Sequence, residues 1–461
     1  MTSPAQTGLD PFYDVVVAGA GVGGVCAAIA AARAGCRVAL LESAKEIGGT
    51  GVHSPVGLVC TWFDKKGRYI NRGIFEELLP YLYVPGSLGR GVIQTYDEHE
   101  LKAGYLRLLD GESTLDVFTD SAVTTVESDA GVIRSVGTAD GRRYTAQVFI
   151  DSTADGNLAA AAGAEFQQGR VADGKLQPST LTFRVDGVDF TAFGMDPSQP
   201  DWARWDNAHL ISDALLPLYK KLRAANGTSN PRENVLCFPD RKGRSLLFNQ
   251  TRIANVDPTD PDNVRRAMIE GRKQIDEFWE AVRHHPAFAK ASIVISERLG
   301  VREGRRIVGD YMLTAEDCLG EARFDDMVAA CGYALDIHDP TGTAATSINE
   351  IPGSGYYHIP YRCLIAKGFA NLLLGSRCIS GTHEAHSSYR VIPPVSAIGQ
   401  AAGIAAALCV RSEGADVRDV STSWIRHELV EAGQFIEGDC TPPPSALAAS
   451  PQSAKGGLVA S

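Results

Sequence analysis

The sequence of 461 residues predicts an α/β fold with a doubly wound parallel sheet and an inserted α+β domain. Three observations predict it. The short run from Tyr13 to Ala18 is rich in valine, as in a buried parallel strand. A glycine-rich turn and an alanine-rich segment follow, and Gly35 is placed to end that helix. A second apolar run then ends at Glu42.

The amino-acid composition excludes some classes of protein and makes some kinds of partner unfavourable. Hydrophobic residues make up 44% and charged residues 21%, which is typical of a globular chain and excludes a mainly disordered one. The net charge of -11 repels phosphate backbones and anionic lipid, so we expect a small-molecule substrate and no nucleic acid or membrane partner. No run reaches the roughly 18 apolar residues of a membrane span.

The ten cysteines are spread singly and form no C-x-x-C, as in reduced thiols. The first ten residues resemble no signal peptide. We therefore expect a cytoplasmic protein, and a homo-oligomer stays open.

The turn at 19–24 fits G-x-G-x-x-G, and its context between two strands and a helix predicts a dinucleotide site. Gly19 permits the tight turn, Gly21 lets a pyrophosphate approach the backbone, and Gly24 lets the helix pack on the strand. The N-terminus of the helix offers unpaired N–H groups to the phosphates. Glu42, eighteen residues after Gly24, is expected to accept hydrogen bonds from ribose hydroxyls.

The segments that follow predict a hairpin and the strands and helices of the inserted domain. Val132 to Val136 and Arg143 to Ala146 alternate as in a hairpin. Further on, Thr180 to Val188 and Ser245 to Ile253 predict strands, and Trp202 to Asn226 predicts a partly helical stretch. A helix capped by Asp262 and running to about His284 is also predicted. Its apolar face is formed by Val264, Met268, Ile275, Phe278, Trp279 and Val282.

Several segments together carry a family resemblance. Gly48-Gly49 follows Glu42 closely, and this resembles flavoproteins of the glutathione-reductase type, where such a pair passes near the flavin. The strand from Val148 ends in Ser-Thr-Ala-Asp-Gly and is similar to the segment that closes over the FAD pyrophosphate. This chain has Ala154 where that segment has a glycine, and an alanine is tolerable at this position if its φ is negative.

Over about residues 13–410 the chain resembles the bacterial FAD-dependent oxidoreductases, near the flavoprotein subunits of fumarate reductase and succinate dehydrogenase. The resemblance implies FAD as the cofactor and a Rossmann-like FAD-binding domain of the glutathione-reductase type. That domain would comprise residues 11–165 and 360–412, with a substrate or cap domain at 166–359 between them. Residues 440–461 are expected to be a disordered tail, because their Pro/Ala/Ser/Gly composition cannot bury a face.

The resemblance also implies the residues that bind FAD. A late helix from Ser396 to Cys409 would point its N-terminus at flavin N1 and O2 and stabilise the reduced flavin. The expected cofactor-binding residues are Gly19, Gly21, Val22, Gly23, Gly24, Glu42, Ser43, Gly49, Thr50, Val123, Asp155, Gly375, Arg377, Gly399, Gln400 and Ala401.

The predicted activity is that of an FAD-dependent dehydrogenase or oxidase. Hydride would pass from a C–O, C–N or C–C bond of a small polar metabolite to flavin N5 while a base takes a proton. The chain has no second G-x-G-x-x-G, so the electron acceptor stays open between dioxygen, a quinone, a carrier protein and a transiently bound nicotinamide. The alternatives are a flavin monooxygenase that uses NAD(P)H and dioxygen, and a sensor without turnover.

Histidines are the candidate bases. His53 follows the glycine pair and is a covalent flavin anchor, a pocket residue or a structural histidine. His383 and His386 are spaced to share one helix face, which suits a pocket role better than a metal pair because no third ligand is evident. We therefore expect no metal.

Two more histidines and a group of arginines complete the candidates. His358 follows two tyrosines and is the preferred base, ahead of His338, which shares a strand face with Asp336. Arg390 could hold a substrate carboxylate, the charge of the reduced flavin, or backbone carbonyls. The arginines and acids of the run 302–310 are expected to form a structural ion-pair network.

Overall fold

The computed structural model describes residues 12–82, 94–199, 205–240, 242–342, 346–414 and 416–440. The predicted disordered tail lies, apart from Cys440, outside these residues. The described strands are β1 (Phe12–Ala18), β2 (Val38–Leu41), β3 (Leu58–Val59), β4 (Gln94–Thr95), β5 (Leu115–Phe118), β6 (Val123–Asp129), β7 (Val132–Thr138), β8 (Arg143–Asp151), β9 (Phe166–Gln168), β10 (Phe183–Asp186), β11 (Cys237–Pro239), β12 (Ser245–Phe248), β13 (Ser292–Ile295), β14 (Arg305–Ile307), β15 (Met327–Cys331), β16 (Leu335–Ile337), β17 (Ser347–Asn349), β18 (Tyr357–Pro360) and β19 (Leu372–Leu374).

The helices connect these strands and cover the sheets. They are α1 (Val22–Arg33), α2 (Gly49–His53), α3 (Ile74–Leu82), α4 (Glu98–Asp110), α5 (Asn157–Ala161), α6 (Trp205–Asn226), α7 (Pro261–Val282), α8 (Ala315–Leu319), α9 (His383–Tyr389), α10 (Ile392–Arg411) and α11 (Thr422–Glu431).

A seven-stranded sheet forms the centre of the fold. Five of its strands are parallel, in the order β5-β2-β1-β8-β19, and β8 continues into an antiparallel meander with β7 and β6. The valines of β1 pack in the core, as expected for a parallel strand covered on both faces. The predicted α/β class and the predicted hairpin are confirmed.

Helices α1 and α10 lie against each other because their contact is made of glycine and alanine. A methyl group on Gly399 would lie 2.1 Å from the carbonyl oxygen of Gly23, and one on Gly403 would lie 2.2 Å from that of Ala27. Larger side chains would therefore separate the two helices. Helix α10 is long and apolar enough to cross a membrane, but it is almost wholly buried within the protein, as core helices are.

The start of α10 differs from the prediction. The helix begins at Ile392 rather than Ser396, and Pro393 and Pro394 occupy its first turn. Proline suits this position because the first N–H groups of a helix have no partner within it. The N-terminus of the helix is therefore formed by residues that precede Gly399 and Ala401.

A second hydrophobic core lies between Leu181 and Leu299. Its antiparallel sheet has the order β11-β12-β10-β13, and α6 and α7 pack beside it. The apolar face predicted for α7 is confirmed, since Ile275, Phe278 and Val282 are buried there. The cap of α7 is Asp260 and not Asp262.

The two cores suggest a shorter inserted domain than the expected 166–359. Buried residues between Ile307 and Ile359 belong to the first core, among them the fully buried Leu313 and Cys331. Ile425 and Leu429 of α11 also belong to that core, beyond the expected limit at 412. We therefore propose an inserted domain close to residues 181–299.

Candidate functional site

The carboxyl ends of four neighbouring parallel strands meet at one edge of the sheet. Ala18 at the end of β1 pairs with Leu41 of β2 and with Asp151 of β8, and Leu374 of β19 pairs with Asp151. The segments that follow these strands therefore lie side by side. Ligands of open α/β sheets bind at such an edge.

Three glycines of the turn after β1 are required because other backbone segments pack closely against them. Gly19 has a φ of +96°, and a methyl group on it would lie 2.5 Å from the carbonyl oxygen of Ser152. A methyl group on Gly24 would lie 1.7 Å from the carbonyl oxygen of Gly19, and one on Gly23 would lie 2.2 Å from that of Gly375. The protein's own backbone thus requires glycine at these three positions.

Gly21 is different. Its φ is -76°, and a methyl group on it would meet only the Cα of Gly49, at an ordinary distance of 3.7 Å. Helix α1 starts here without a side-chain cap, so the N–H groups from Val22 onward are offered to a ligand. Gly21 therefore borders a space that the protein leaves to a bound group.

Glu42 is held at the end of β2. Its side chain is buried, and its two carboxylate oxygens accept hydrogen bonds from the backbone N–H groups of Ala20 and Ala44, each at 2.8 Å. The Ser43 hydroxyl donates to the same carboxylate at 3.1 Å. The Ser121 N–H donates to the Glu42 carbonyl at 2.8 Å, and Val123 begins β6 two residues later.

The second glycine pair approaches the first turn. Gly48 and Gly49 have φ values of 125° and 55°, which the left-handed region allows for glycine. A methyl group on Gly49 would lie 2.8 Å from the Cα of Gly21, so the two backbones come close together. Thr50 follows as the second residue of α2.

His53 ends α2 and is partly exposed. Its Nε2 lies 3.1 Å from the carbonyl oxygen of Glu46. Of its three interpretations, this hydrogen bond favours a structural histidine.

The segment after β8 shows a strained alanine and brings two candidates together. Ala154 has a φ of +69°, so the condition under which an alanine is tolerable there is not met. Asp155 accepts a hydrogen bond from Nη2 of Arg377 at 2.9 Å, so the segments after β8 and β19 are joined. The Nε of Arg377 is buried and has no partner among the described residues.

Helix α9 carries two histidines with different surroundings. The Nδ1 of His383 lies 2.9 Å from Oε1 of Glu303, which also pairs with Arg306. His386 is fully buried, and neither of its ring nitrogens has a hydrogen-bond partner in the described structure. Burial, and then the charges of Arg306 and Arg390, hold the pKa of His386 well below its usual value. At neutral pH its imidazole is neutral.

A carboxylate and a third histidine lie on β16 and the residue after it. The Nε2 of His338 lies 3.4 Å from Oδ2 of Asp336, as their predicted common strand face implies. Burial lowers the pKa of His338 to about 3. Burial alone would raise the pKa of Asp336, but the bond to His338 and the charges of Arg390 and Arg302 lower it. A neutral histidine thus faces an ionised carboxylate, to which the Tyr333 hydroxyl donates at 3.0 Å.

The charges of three arginines act on this carboxylate, and we call Arg232, Arg302 and Arg390 the arginine cluster. Arg232 is buried, whereas Arg302 and Arg390 are partly buried. Arg302 donates to the carbonyl oxygen of Pro178 at 2.7 Å, and Arg390 donates to that of Asp336 at 3.0 Å. Burial and mutual repulsion lower the pKa of Arg302 to about 9. The cluster is a positively charged region next to His386.

Two further candidate residues are held by other parts of the protein. His358 accepts the N–H of Phe324 on Nδ1 at 3.2 Å, and its Nε2 lies 2.9 Å from Glu437. Both ring nitrogens have protein partners, which favours a structural role, and the role of His358 as the base stays a prediction. Gln400 accepts the N–H of Ile74 and donates to the carbonyl of Ala432, and its role in cofactor binding also stays a prediction.

The expected ion-pair network at 302–310 is only partly present. Glu303 and Arg306 form a buried pair, but Arg302 belongs to the arginine cluster. Arg305 donates to the side chain of Asn157, and Asp310 pairs with Arg418. These residues are neighbours in the sequence, but the fold gives them partners in different parts of the protein.

Arg232 was not predicted as a site residue. It lies between α6 and β11, where no pattern singled it out. The charge of its neighbour Arg252 repels it and lowers its pKa. Within the described ranges no group of three histidines, cysteines or acids is arranged to hold a metal ion.

The edge of the sheet fits an extended dinucleotide. The open space at Gly21, the uncapped N-terminus of α1, and the unpartnered Nε of Arg377 suit phosphate oxygens. Glu42 directly follows β2, which is the position of the ribose-binding acid in a dinucleotide fold.

Comparison with known proteins agrees with this geometry. A model of the family described as FAD dependent oxidoreductase matches residues 14–429. No curated protein matches the sequence. The chain is 14% identical to a geranylgeranyl bacteriochlorophyll reductase-like protein of Thermoplasma acidophilum, with 92% of this chain and 88% of that chain covered and a TM-score of 0.44.

Two further solved structures are similar at low identity. GidA of Aquifex aeolicus is 13% identical, with 88% of this chain and 67% of that chain covered and a TM-score of 0.42. The p-nitrophenol 4-monooxygenase PnpA of Pseudomonas putida DLL-E4 is 14% identical, with 66% of this chain and 70% of that chain covered and a TM-score of 0.36.

Proposed function

The chain belongs to the FAD dependent oxidoreductase family, and from this premise we propose that it is a dehydrogenase or oxidase of a small polar metabolite. FAD, when bound, supplies the hydride acceptor at flavin N5. The observation that carries the proposal is the buried, neutral His386 with both ring nitrogens unpartnered among the described residues.

FAD would be held by the residues at the sheet edge. Gly21 and the first N–H groups of α1 would receive the pyrophosphate, and Arg377 would add a charged donor from its free Nε. Glu42 would accept from the ribose hydroxyls while keeping its bonds to the backbone N–H groups. The N-terminus of α10, at Ile392, would face the pyrimidine edge of the flavin.

His386 suits the role of general base. A neutral imidazole can take the proton of a substrate O–H or N–H group, and burial keeps it neutral at pH 7. It precedes Arg390 by four residues, and the charges of Arg390 and Arg377 both lower its pKa. Because Arg377 pairs with Asp155, His386 is within electrostatic reach of the expected FAD site and of the arginine cluster.

His383 and Glu303 have a positioning role. The bond between His383 and Glu303 fixes the first turn of α9, and Arg306 holds the same carboxylate and the carbonyl oxygen of Gly381. This buried network sets the direction of the helix that carries His386.

The variant His386→Gln tests the base. FAD-loaded protein is mixed without oxygen with a panel of small hydroxy and amino compounds, and loss of the visible flavin bands identifies a substrate. With that substrate, His386→Gln should reduce its flavin about 10²–10⁴-fold more slowly. The matched control is His284→Gln, because His284 has a side-chain exposure of 72% and lies outside the site.

Three outcomes count against the proposal. An unchanged rate of flavin reduction in His386→Gln would remove His386 as the base. Flavin reduction that requires NADPH would instead favour a monooxygenase. Flavin that no metabolite and no NADPH reduces would favour a protein without turnover.

The electron acceptor and the location are further proposals. Reoxidation of the reduced enzyme by dioxygen, a quinone or a carrier protein should be compared directly, and the fastest of the three identifies the acceptor.

All ten cysteines are free in the structure, which supports a cytoplasmic location.

A further inference from the structure

The arginine cluster carries more positive charge than the protein neutralises. Arg232 is buried, Arg302 and Arg390 are partly buried, and Asp336 is the carboxylate whose charge all three share. The nearest ion pair of these arginines in the described chain is between Arg390 and Asp336, at 3.7 Å. The nearby pair of Glu303 and Arg306 is already neutral.

Arg232 is the clearest member. Its exposed fraction is 5%, and Nη1 donates to the side chain of Asn234 at 3.2 Å. Its Nε and Nη2 have no hydrogen-bond partner in the described residues. These two nitrogens form one edge of the guanidinium, which is the edge that binds two oxygens of a carboxylate or phosphate together.

Arg390 adds another unpartnered donor. Its Nε and Nη2 donate to the carbonyl oxygens of Ser387 and Asp336, whereas Nη1 is buried without a partner among the residues described. Free donors therefore come from Arg390 at the C-terminal end of α9 and from Arg232 in the segment before β11.

Leaving such charges unpaired is costly. Removing an ion from water costs several kcal/mol unless an opposite charge and hydrogen bonds compensate. Repulsion between neighbouring guanidinium groups adds to this cost, and together with burial it lowers the pKa of Arg232 to about 10. A bound anion would remove both penalties.

We propose that the arginine cluster binds a small organic dianion, with two carboxylates or with a carboxylate or hydroxyl group and a phosphate. This rests on the proposed function, because the dianion would be the metabolite that is oxidised. The charge of the neighbouring Arg252 is offset by Asp339, so the three arginines of the cluster exceed Asp336 by two charges. Two negative charges therefore restore neutrality. Arg390 follows His386 by one helical turn, so an anion bound to Arg390 lies next to the base.

Calorimetric titration of the FAD-loaded protein tests the proposal. The dicarboxylates malonate, succinate and glutarate represent one source of the dianion, and glycerol 3-phosphate represents the other. Butyrate has one charge, and succinamide has none. At least one dianion should bind, butyrate should bind at least tenfold more weakly, and succinamide should not bind.

The variant Arg232→Met provides a second readout. Losing the bidentate contact should weaken binding of the best dianion about 10- to 100-fold, since a hydrogen bond to a charged group contributes about 1.5–3 kcal/mol. The same variant should raise the melting temperature of the anion-free protein, because it removes a buried unpaired charge. Arg265→Met is the matched control, because the Arg265 side chain is 72% exposed.

The outcomes separate this proposal from the proposed function. Protein that holds FAD but binds none of the four dianions, or binds succinamide as well as succinate, overturns the dianion site alone. Protein that holds no FAD overturns the proposed function. If Arg232→Met lowers the melting temperature and keeps full affinity, the arginine is structural and the inference is wrong.

Discussion

Replacing Gly21 with alanine should separate FAD binding from folding. The added methyl group has room in the protein, because its nearest neighbour is the Cα of Gly49 at 3.7 Å and the φ of -76° suits alanine. Alanine is a poorer N-cap by about 0.5–1 kcal/mol. It also lowers the entropy of the unfolded chain, which offsets about 0.4–1 kcal/mol. The net change in stability should therefore be close to zero.

The same methyl group would occupy the space expected for the pyrophosphate. Losing one charge-assisted hydrogen bond to a phosphate oxygen costs about 1.5–3 kcal/mol, so the Kd for FAD should rise about 10- to 100-fold. Flavin fluorescence during titration of the apoprotein gives the Kd, and urea unfolding gives the stability. Gly24→Ala, whose methyl group would lie 1.7 Å from the carbonyl oxygen of Gly19, should instead destabilise the fold.

Gly111→Ala is the matched control for Gly21→Ala. Gly111 is exposed at the end of α4 with a φ of -72°, and its methyl group would come no closer than 3.3 Å to a neighbour. It should change neither FAD affinity nor stability by much. If Gly21→Ala folds and binds FAD as tightly as the unmodified protein, the pyrophosphate does not lie at this turn.

Two further predictions concern stability. His338 and His386 are neutral in the folded protein, whereas in the unfolded chain they take up protons below about pH 6.5, so stability should fall as the pH falls below this value. Each contributes up to ~1.4 kcal/mol per pH unit, and urea unfolding at fixed FAD between pH 7 and 5.5 should show a smaller slope for His386→Gln. Ala154→Gly should stabilise the protein by about 0.5–1 kcal/mol, because relief of a left-handed alanine at +69° exceeds the entropy cost of glycine. A lower unfolding midpoint in urea for Ala154→Gly would contradict this.

Much of the fold could be predicted because its signals are local. The strand at 12–18, the glycine turn and the second strand are adjacent in sequence, and each requires its residue types for a reason of backbone geometry. The predicted start at Ser396 is four residues late, because the first turn of α10 accepts the prolines at 393 and 394. The φ of Ala154 could not be predicted, because a single side chain does not reveal it.

The candidate site could be predicted only where one segment carries it. His386 and Arg390 were identified because they lie on one short helix beside the family motifs. Arg232 could not be, since its importance comes from burial beside residues far away in sequence. His358 was preferred for its tyrosine neighbours, but Glu437 takes its second nitrogen, and that contact spans 79 positions.

The most direct test of the account is to titrate the purified chain with FAD and record its visible spectrum before and after acid precipitation. We predict one FAD per chain, released into the supernatant, because the Nε2 of His53 is hydrogen-bonded to Glu46. A protein that stays colourless and takes up no FAD would contradict the account.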